Sequence, residues 1–127
     1  TPEDLMEAEE KTGRKIGPGA ATVVWCGVDS DWGEPGFHLD RPYVPVPTAE
    51  WLVERKITIF CTDLIGMDDP SEWWWPTHAT WLKNGICMVQ QLCNLEQLAG
   101  KDFLFIALPL KMREGTASPV RPIALVM

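Results

Sequence analysis

Histidine is scarce in this chain: only His38 and His78 occur among 127 residues. Two imidazoles cannot build a three-histidine metal site. A His-Glu-x-x-His stretch, a glycine-rich phosphate loop and a Gly-x-Ser-x-Gly elbow are all missing, which removes the usual zinc-protease, P-loop and serine-hydrolase readings. Basic charge is short as well. Eleven scattered Lys+Arg face eighteen Asp+Glu, for a formal net charge of −7 and a pI of about 4.7. That balance argues against nucleic acid or an anionic membrane surface and for a small molecule or another protein as partner. No apolar run approaches the roughly 20 residues that span a bilayer, and Thr1-Pro-Glu-Asp has no signal-peptide character, so a soluble chain is expected. A first residue other than Met reads as a processed or partial product.

The four cysteines, Cys26, Cys61, Cys87 and Cys93, show no Cys-x-x-Cys spacing, and three lie in or beside apolar runs. A disulfide framework or a structural zinc site does not follow from that pattern. Buried thiols in a reducing, cytoplasmic compartment are expected instead. The 46% hydrophobic content at this length suffices for one core, and a single domain over 1–127 is the default.

Thr1, Pro2 and Asp4 read as an N-cap, a first-turn proline and a capping-box acid, opening a helix that Gly13 can stop. Ala21–Cys26 reads as a buried strand after the breakers Gly17-Pro18-Gly19. The Gly- and Pro-rich stretch 27–47 is a long loop of the kind that covers a site. Thr48 is expected to cap a short helix, followed by a second buried strand at 57–61 and a connection over 63–75. Pro76 and Thr77 start a helix with His78 in its first turn and Gly85 beyond its end. A strand at 86–89, a turn capped by Asn94 and two closing strands around a turn at 113–115 complete an α/β chain. The closing pair is expected as an antiparallel element in a mixed sheet.

Few side chains offer chemistry. Thr1 as an N-terminal nucleophile is outweighed by capping. Cys87 or Cys61 paired with His78 describes a thiol nucleophile, but their apolar flanks favour inert core thiols. His78 taken alone is a helix first-turn residue, and His38 a loop residue. Asp63, Asp68 and Asp69 are read as structural, orienting the helix at Pro76 or holding an outer hydrogen bond. The run Trp73, Trp74, Trp75 stands apart, because three consecutive indoles in a loop cannot all point inward; at least one is expected at a ligand pocket or partner.

Three stretches carry a resemblance: Ala49-Glu-Trp-Leu-Val-Glu-Arg-Lys-Ile with Cys61-Thr-Asp63; Pro76-Thr-His78 with Asn84 to Leu95; and Ala107 to Arg121. In order and spacing they resemble the C-terminal half of the cyclase family of metal-dependent hydrolases, which includes kynurenine formamidase and isatin hydrolase. The resemblance implies a swivelling β/β/α fold with a mixed sheet, of which this chain is an incomplete half. It also implies a zinc or manganese ion and cleavage of a C–N bond in an amide, formamide or cyclic imide by metal-activated water. The family's main ligand signature, His-x-Gly-Thr-His-x-Asp-x-Pro, does not occur here. The second part of its site is a His and, twelve positions later, a Glu. These fall on His78 and Gln90, so the resemblance makes His78 a ligand or proton handler and Gln90 a weakened metal ligand; the loop indoles Trp73, Trp74 and Trp75 are the residues expected at a substrate pocket beside them. The implied partners are a small-molecule substrate and a companion chain carrying the N-terminal half, or a homodimer. The alternative is a non-catalytic remnant or binding module that holds an aromatic ligand or a partner through its tryptophans.

Overall fold

Local signals are enough for the first element. In α1 (Pro2–Thr12) the Thr1 hydroxyl oxygen accepts from the Asp4 backbone N–H, the Asp4 carboxylate holds the Thr1 amine at 2.7 Å, and Gly13 ends the helix at φ 67°. The structure is a computed structural model and describes residues 1–38 and 41–127. Its residues gather into two compact units, Thr1–Cys93 and Asn94–Met127.

In the first unit β1 (Ala21–Val24), β2 (Ile59–Thr62) and β3 (Cys87–Val89) form a parallel sheet in the order β1-β2-β3. Parallel neighbours need crossovers, and these are provided by α2 (Val46–Glu54) between β1 and β2 and α3 (Pro76–Lys83) between β2 and β3. Only β2 pairs on both edges, and its Phe60 and Cys61 are fully buried. The strand expected to be buried at 21–26 is corrected here: β1 lies at an edge and buries Thr22 alone. Around Phe60 a core gathers from Ala49 and Leu52 of α2, Trp81 of α3, and Leu64, Met67 and Ile86. The Trp81 ring stacks on Phe60 at 4.5 Å, and its Nε1–H donates to the Ala49 carbonyl.

Helix α2 corrects a second expectation. Its N-cap is Pro45 and not Thr48, which is buried in the first turn. Pro47 explains the shift, since a proline in the first turn is already in helical φ and its missing N–H would have had no helical partner. Buried Glu9 ties α1 to this layer. Its Oε1 accepts from Ile16 N at 2.6 Å and from Arg55 Nη1 at 3.0 Å, while the Arg55 guanidinium lies 4.0 Å from the Trp51 ring centroid. A carboxylate so placed fixes how the helix docks more than it adds stability.

The second unit has a 3₁₀ turn, Leu95–Leu98, and the strands β4 (Phe103–Ile106) and β5 (Ile123–Val126), antiparallel with Leu104 opposite Leu125. Parallel and antiparallel pairings are therefore both present, as an α/β chain requires. Among the described residues they form two sheets and not the one mixed sheet expected. Both strands are apolar on both faces, so their pattern cannot say which neighbour they choose. Leu104 and Leu125 remain 53% and 51% exposed. Among the described residues no helix is long and apolar enough to cross a membrane.

Candidate active site

In a parallel sheet, ligand sites form beyond the carboxyl ends of the strands, where the following loops meet. That edge of the first unit is tightly laced. Asp63, just after β2, accepts from Cys26 N at 2.9 Å and Val28 N at 2.8 Å, pinning the segment that leaves β1. The segment leaving β3 is pinned in turn: Gln91 N donates to Leu64 O and Leu92 N to Thr62 O. Asp63 does the structural work expected of it.

Helix α3 begins without a capping side chain of its own, because its N-cap residue is Trp75, at φ 51°. Asp68, from the preceding loop and 4% exposed, takes that role: its Oδ1 accepts from Thr77 N at 2.6 Å and from His78 N at 3.4 Å. A carboxylate here answers both the orphan N–H groups and the positive end of the helix. Its other oxygen, Oδ2, is hydrogen-bonded to His78 Nδ1. One buried carboxylate thus both starts the helix and grips the imidazole that the helix presents. Thr77 locks the same turn from behind, its hydroxyl donating to Val44 O at 2.6 Å.

The tautomer follows from these partners. A carboxylate accepts, so Nδ1 of neutral His78 carries the proton and Nε2 carries the lone pair. Nε2 lies 3.3 Å from Gln90 Nε2, so the Gln90 amide N–H₂ donates to it. Asp68, His78 and Gln90 border a cavity of about 460 Å³, with Arg41, Trp73 and Trp75 also in its wall. The structure brings His78 and Gln90 together, the pair on which the family resemblance placed the second part of the site. Trp73 and Trp75, 86% and 66% exposed, reach the cavity, whereas Trp74 is not in the wall and donates its Nε1–H to Glu72, which is. His38 is exposed and is not in the wall. Both the amine and the hydroxyl of Thr1 are engaged by Asp4, in keeping with capping. Sequence reasoning did not find Arg41; it read Asp68 as orienting the helix at Pro76 or holding an outer hydrogen bond, and Asp68 does both, capping α3 and holding His78.

The donor set fits the edge of a metal centre and not a centre. A histidine whose Nδ1–H is held by a carboxylate is the arrangement that aims Nε2 at a metal. Yet Gln90 turns its N–H₂ toward that nitrogen, and an amide oxygen brings no full negative charge. Among the described residues no group of three His, Cys, Asp or Glu side chains converges on one point.

The expectation of buried thiols holds for Cys61 alone; Cys26, Cys87 and Cys93 are exposed, because their positions flank strand ends or the sheet edge. Burial pushes the Cys61 thiol up to about 12, and desolvation together with the Asp63 carboxylate pushes Cys26 to about 11. No cysteine lines the cavity. Buried and with its thiol pushed up, Cys61 should resist iodoacetamide while exposed Cys87 is labelled. Peptide mapping after brief alkylation checks this, and equal labelling of the two would contradict it.

A parallel α/β unit with a carboxylate-held histidine at the carboxyl edge of its sheet defines the class of site. Its family follows from comparison. The profile of a family described as putative cyclase matches residues 1–69. Isatin hydrolase of Roseibium aggregatum is 32% identical over 97% of this chain and 51% of its own length. Kynurenine formamidase of Bordetella petrii is 32% identical over 73% of this chain and 42% of its own. The solved structure of isatin hydrolase A from Ralstonia solanacearum superposes with a TM-score of 0.85 at 26% identity, covering 98% of this chain and 52% of that one. A potential metal-dependent hydrolase with cyclase activity shares the fold at a TM-score of 0.75 and 21% identity, over 91% of this chain and 56% of that one. The chain belongs to the cyclase family, and it spans about half the length of the curated relatives it matches.

Proposed function

We propose that this chain forms one wall of a hydrolase that cleaves the C–N bond of an amide, formamide or cyclic imide. The observation that carries this reading is the grip of buried Asp68 on His78 Nδ1, which leaves the Nε2 lone pair facing the cavity. In that role His78 takes a proton from the attacking water, with the Asp68 carboxylate stabilising the imidazolium. It then returns the proton to the departing nitrogen. Gln90, a neutral donor, releases Nε2 when the water arrives and steadies the carbonyl side of the substrate. A divalent ion, zinc or manganese, when bound in the whole protein would supply a water of lowered pKa. Where the ion takes that lone pair instead, His78 Nε2 and, after an amide flip, Gln90 Oε1 would be its ligands from this chain, and the proton would be handled by a group outside it.

The remaining ligands would come from other polypeptide, either a companion carrying the rest of a swivelling β/β/α fold or the other part of the same protein. Two facts support this: the chain covers about half of its relatives, and five of its seven tryptophans are exposed. A cytoplasmic, reducing location belongs to the same proposal. The test is turnover of isatin and of N-formylkynurenine by the purified protein with whatever polypeptide accompanies it, alongside metal analysis. Stoichiometric zinc or manganese is expected, with His78→Ala lowering kcat by about 10²- to 10⁴-fold. Metal-free protein with no turnover when all chains are present would overturn the reading. The exposed Trp73 and Trp75 favour one alternative, a binding module for an aromatic ligand. That module would keep its affinity in His78→Ala.

A further inference from the structure

Among the described residues the cavity wall holds one permanent cation, Arg41, which is hydrogen-bonded to the backbone beside it. Arg41 precedes α2, and its Nη1 donates to the Gly66 carbonyl at 2.6 Å. The guanidinium lies directly over Gly66. A Cβ at residue 66 would come within 2.8 Å of Nη2, 3.1 Å of Nη1 and 3.2 Å of Cζ. The φ of Gly66 lies outside the left-handed region, so a side chain there would push the guanidinium aside and not strain the backbone. Arg41 is half-buried and held over the backbone by that hydrogen bond.

The guanidinium borders the cavity together with three carboxylates. The Gly66 carbonyl is neutral and takes one of the five N–H donors of a guanidinium. The three carboxylates of the wall have donors of their own. Asp68 serves α3 and His78, Asp69 Oδ1 accepts from Ser71 N and Oγ at 2.9 and 2.7 Å, and Glu72 accepts from Trp74 Nε1. Amide hydrolysis converts a neutral carbonyl group into a carboxylate, and a planar fork of N–H donors is the side chain that matches a carboxylate. We propose that Arg41, seated on Gly66, is the carboxylate-recognising residue of this cavity. It selects ligands by charge where Trp73 and Trp75 offer only ring faces.

This inference rests on the hydrolase reading for its chemistry, but its test needs no turnover. Binding of 2-aminobenzoate and of neutral 2-aminobenzamide is measured by calorimetry on the purified protein and three variants, with circular dichroism to verify folding. The unaltered protein should prefer the carboxylate by about 10- to 100-fold. Arg41→Ala should bring that ratio to about one, and Gly66→Ala, which leaves the charge in place but displaces it, should lower it in the same direction. Arg41→Lys, which keeps the charge and loses the fork, should fall between and serves as the readout if Arg41→Ala fails to fold. No preference in the unaltered protein, or a preference that survives Arg41→Ala or Arg41→Lys intact, overturns the proposal. Arg41-dependent preference without any turnover would instead count against the hydrolase alone. Turnover without that preference would count against Arg41 alone.

Discussion

Asp68→Asn is expected to lower the proposed hydrolysis by about 10²- to 10⁴-fold, the range for losing a positioned proton-transfer group, while leaving the fold intact. The reason lies in what each oxygen does. An asparagine Oδ1 still accepts from Thr77 N and His78 N, so α3 keeps its cap. At the second position an N–H₂ replaces an acceptor and opposes the Nδ1–H of His78. The imidazole relieves that clash by moving its proton to Nε2, and Gln90 must then turn its carbonyl oxygen inward. The lone pair leaves the cavity, and with it the base. Nitrogen-15 spectra of the imidazole should report the exchanged tautomer directly, a change that a merely structural aspartate would not cause. Asp68→Ala serves as the contrast: it strips the buried Thr77 N–H of its partner and should also cost about 1–3 kcal/mol of stability. Asp68→Asn with undiminished turnover and the original tautomer would refute the assignment.

The second large effect is on stability. Trp81→Ala should destabilise the protein by about 3–5 kcal/mol, a large fraction of the roughly 5–15 kcal/mol that holds a domain together. Trp81 is fully buried where α2, α3 and β2 meet. The substitution removes the ring stacked on Phe60, takes the indole donor from the Ala49 carbonyl, and opens a void that three rigid elements cannot all move to fill. Trp81→Phe keeps the stacking and gives up the hydrogen bond and part of the volume, so it should lose distinctly less. Urea unfolding of the two variants beside the parent checks the order. Equal midpoints for Trp81→Ala and the parent would show that the core is not organised around this ring. His78 lies one turn upstream on α3, so loosening Trp81 should also loosen the site.

Parts of this architecture were legible residue by residue. The capping box of α1, its glycine stop and the first-turn position of His78 were readable because caps and breakers act over three or four residues. The central strand β2 was readable from Ile-Thr-Ile-Phe-Cys. The meeting of His78 with Gln90 came from the order of motifs shared with a family and not from periodicity. Misreadings cluster where burial depends on neighbours. Cys87 lies in an apolar run and is nonetheless exposed, since β3 is an edge strand. Glu9, whose burial no local signal addressed, belongs to a charged helix and is buried because Arg55, 46 residues away, and the Ile16 N–H converge on it.

What the amino-acid order determined by itself was local: where helices start and stop, which runs are strands, which chemistries two histidines rule out, and which family the motif order matches. The tertiary structure alone decided that Asp68 holds His78, that Gln90 offers its N–H₂, that Arg41 lies on Gly66, and that the strands divide into two sheets. The physical reason is range. Caps and turns are closed by bonds to near neighbours in the chain, whereas strand partners, burial and the aim of a heteroatom depend on groups 10 to 46 residues apart that only folding brings within hydrogen-bond distance.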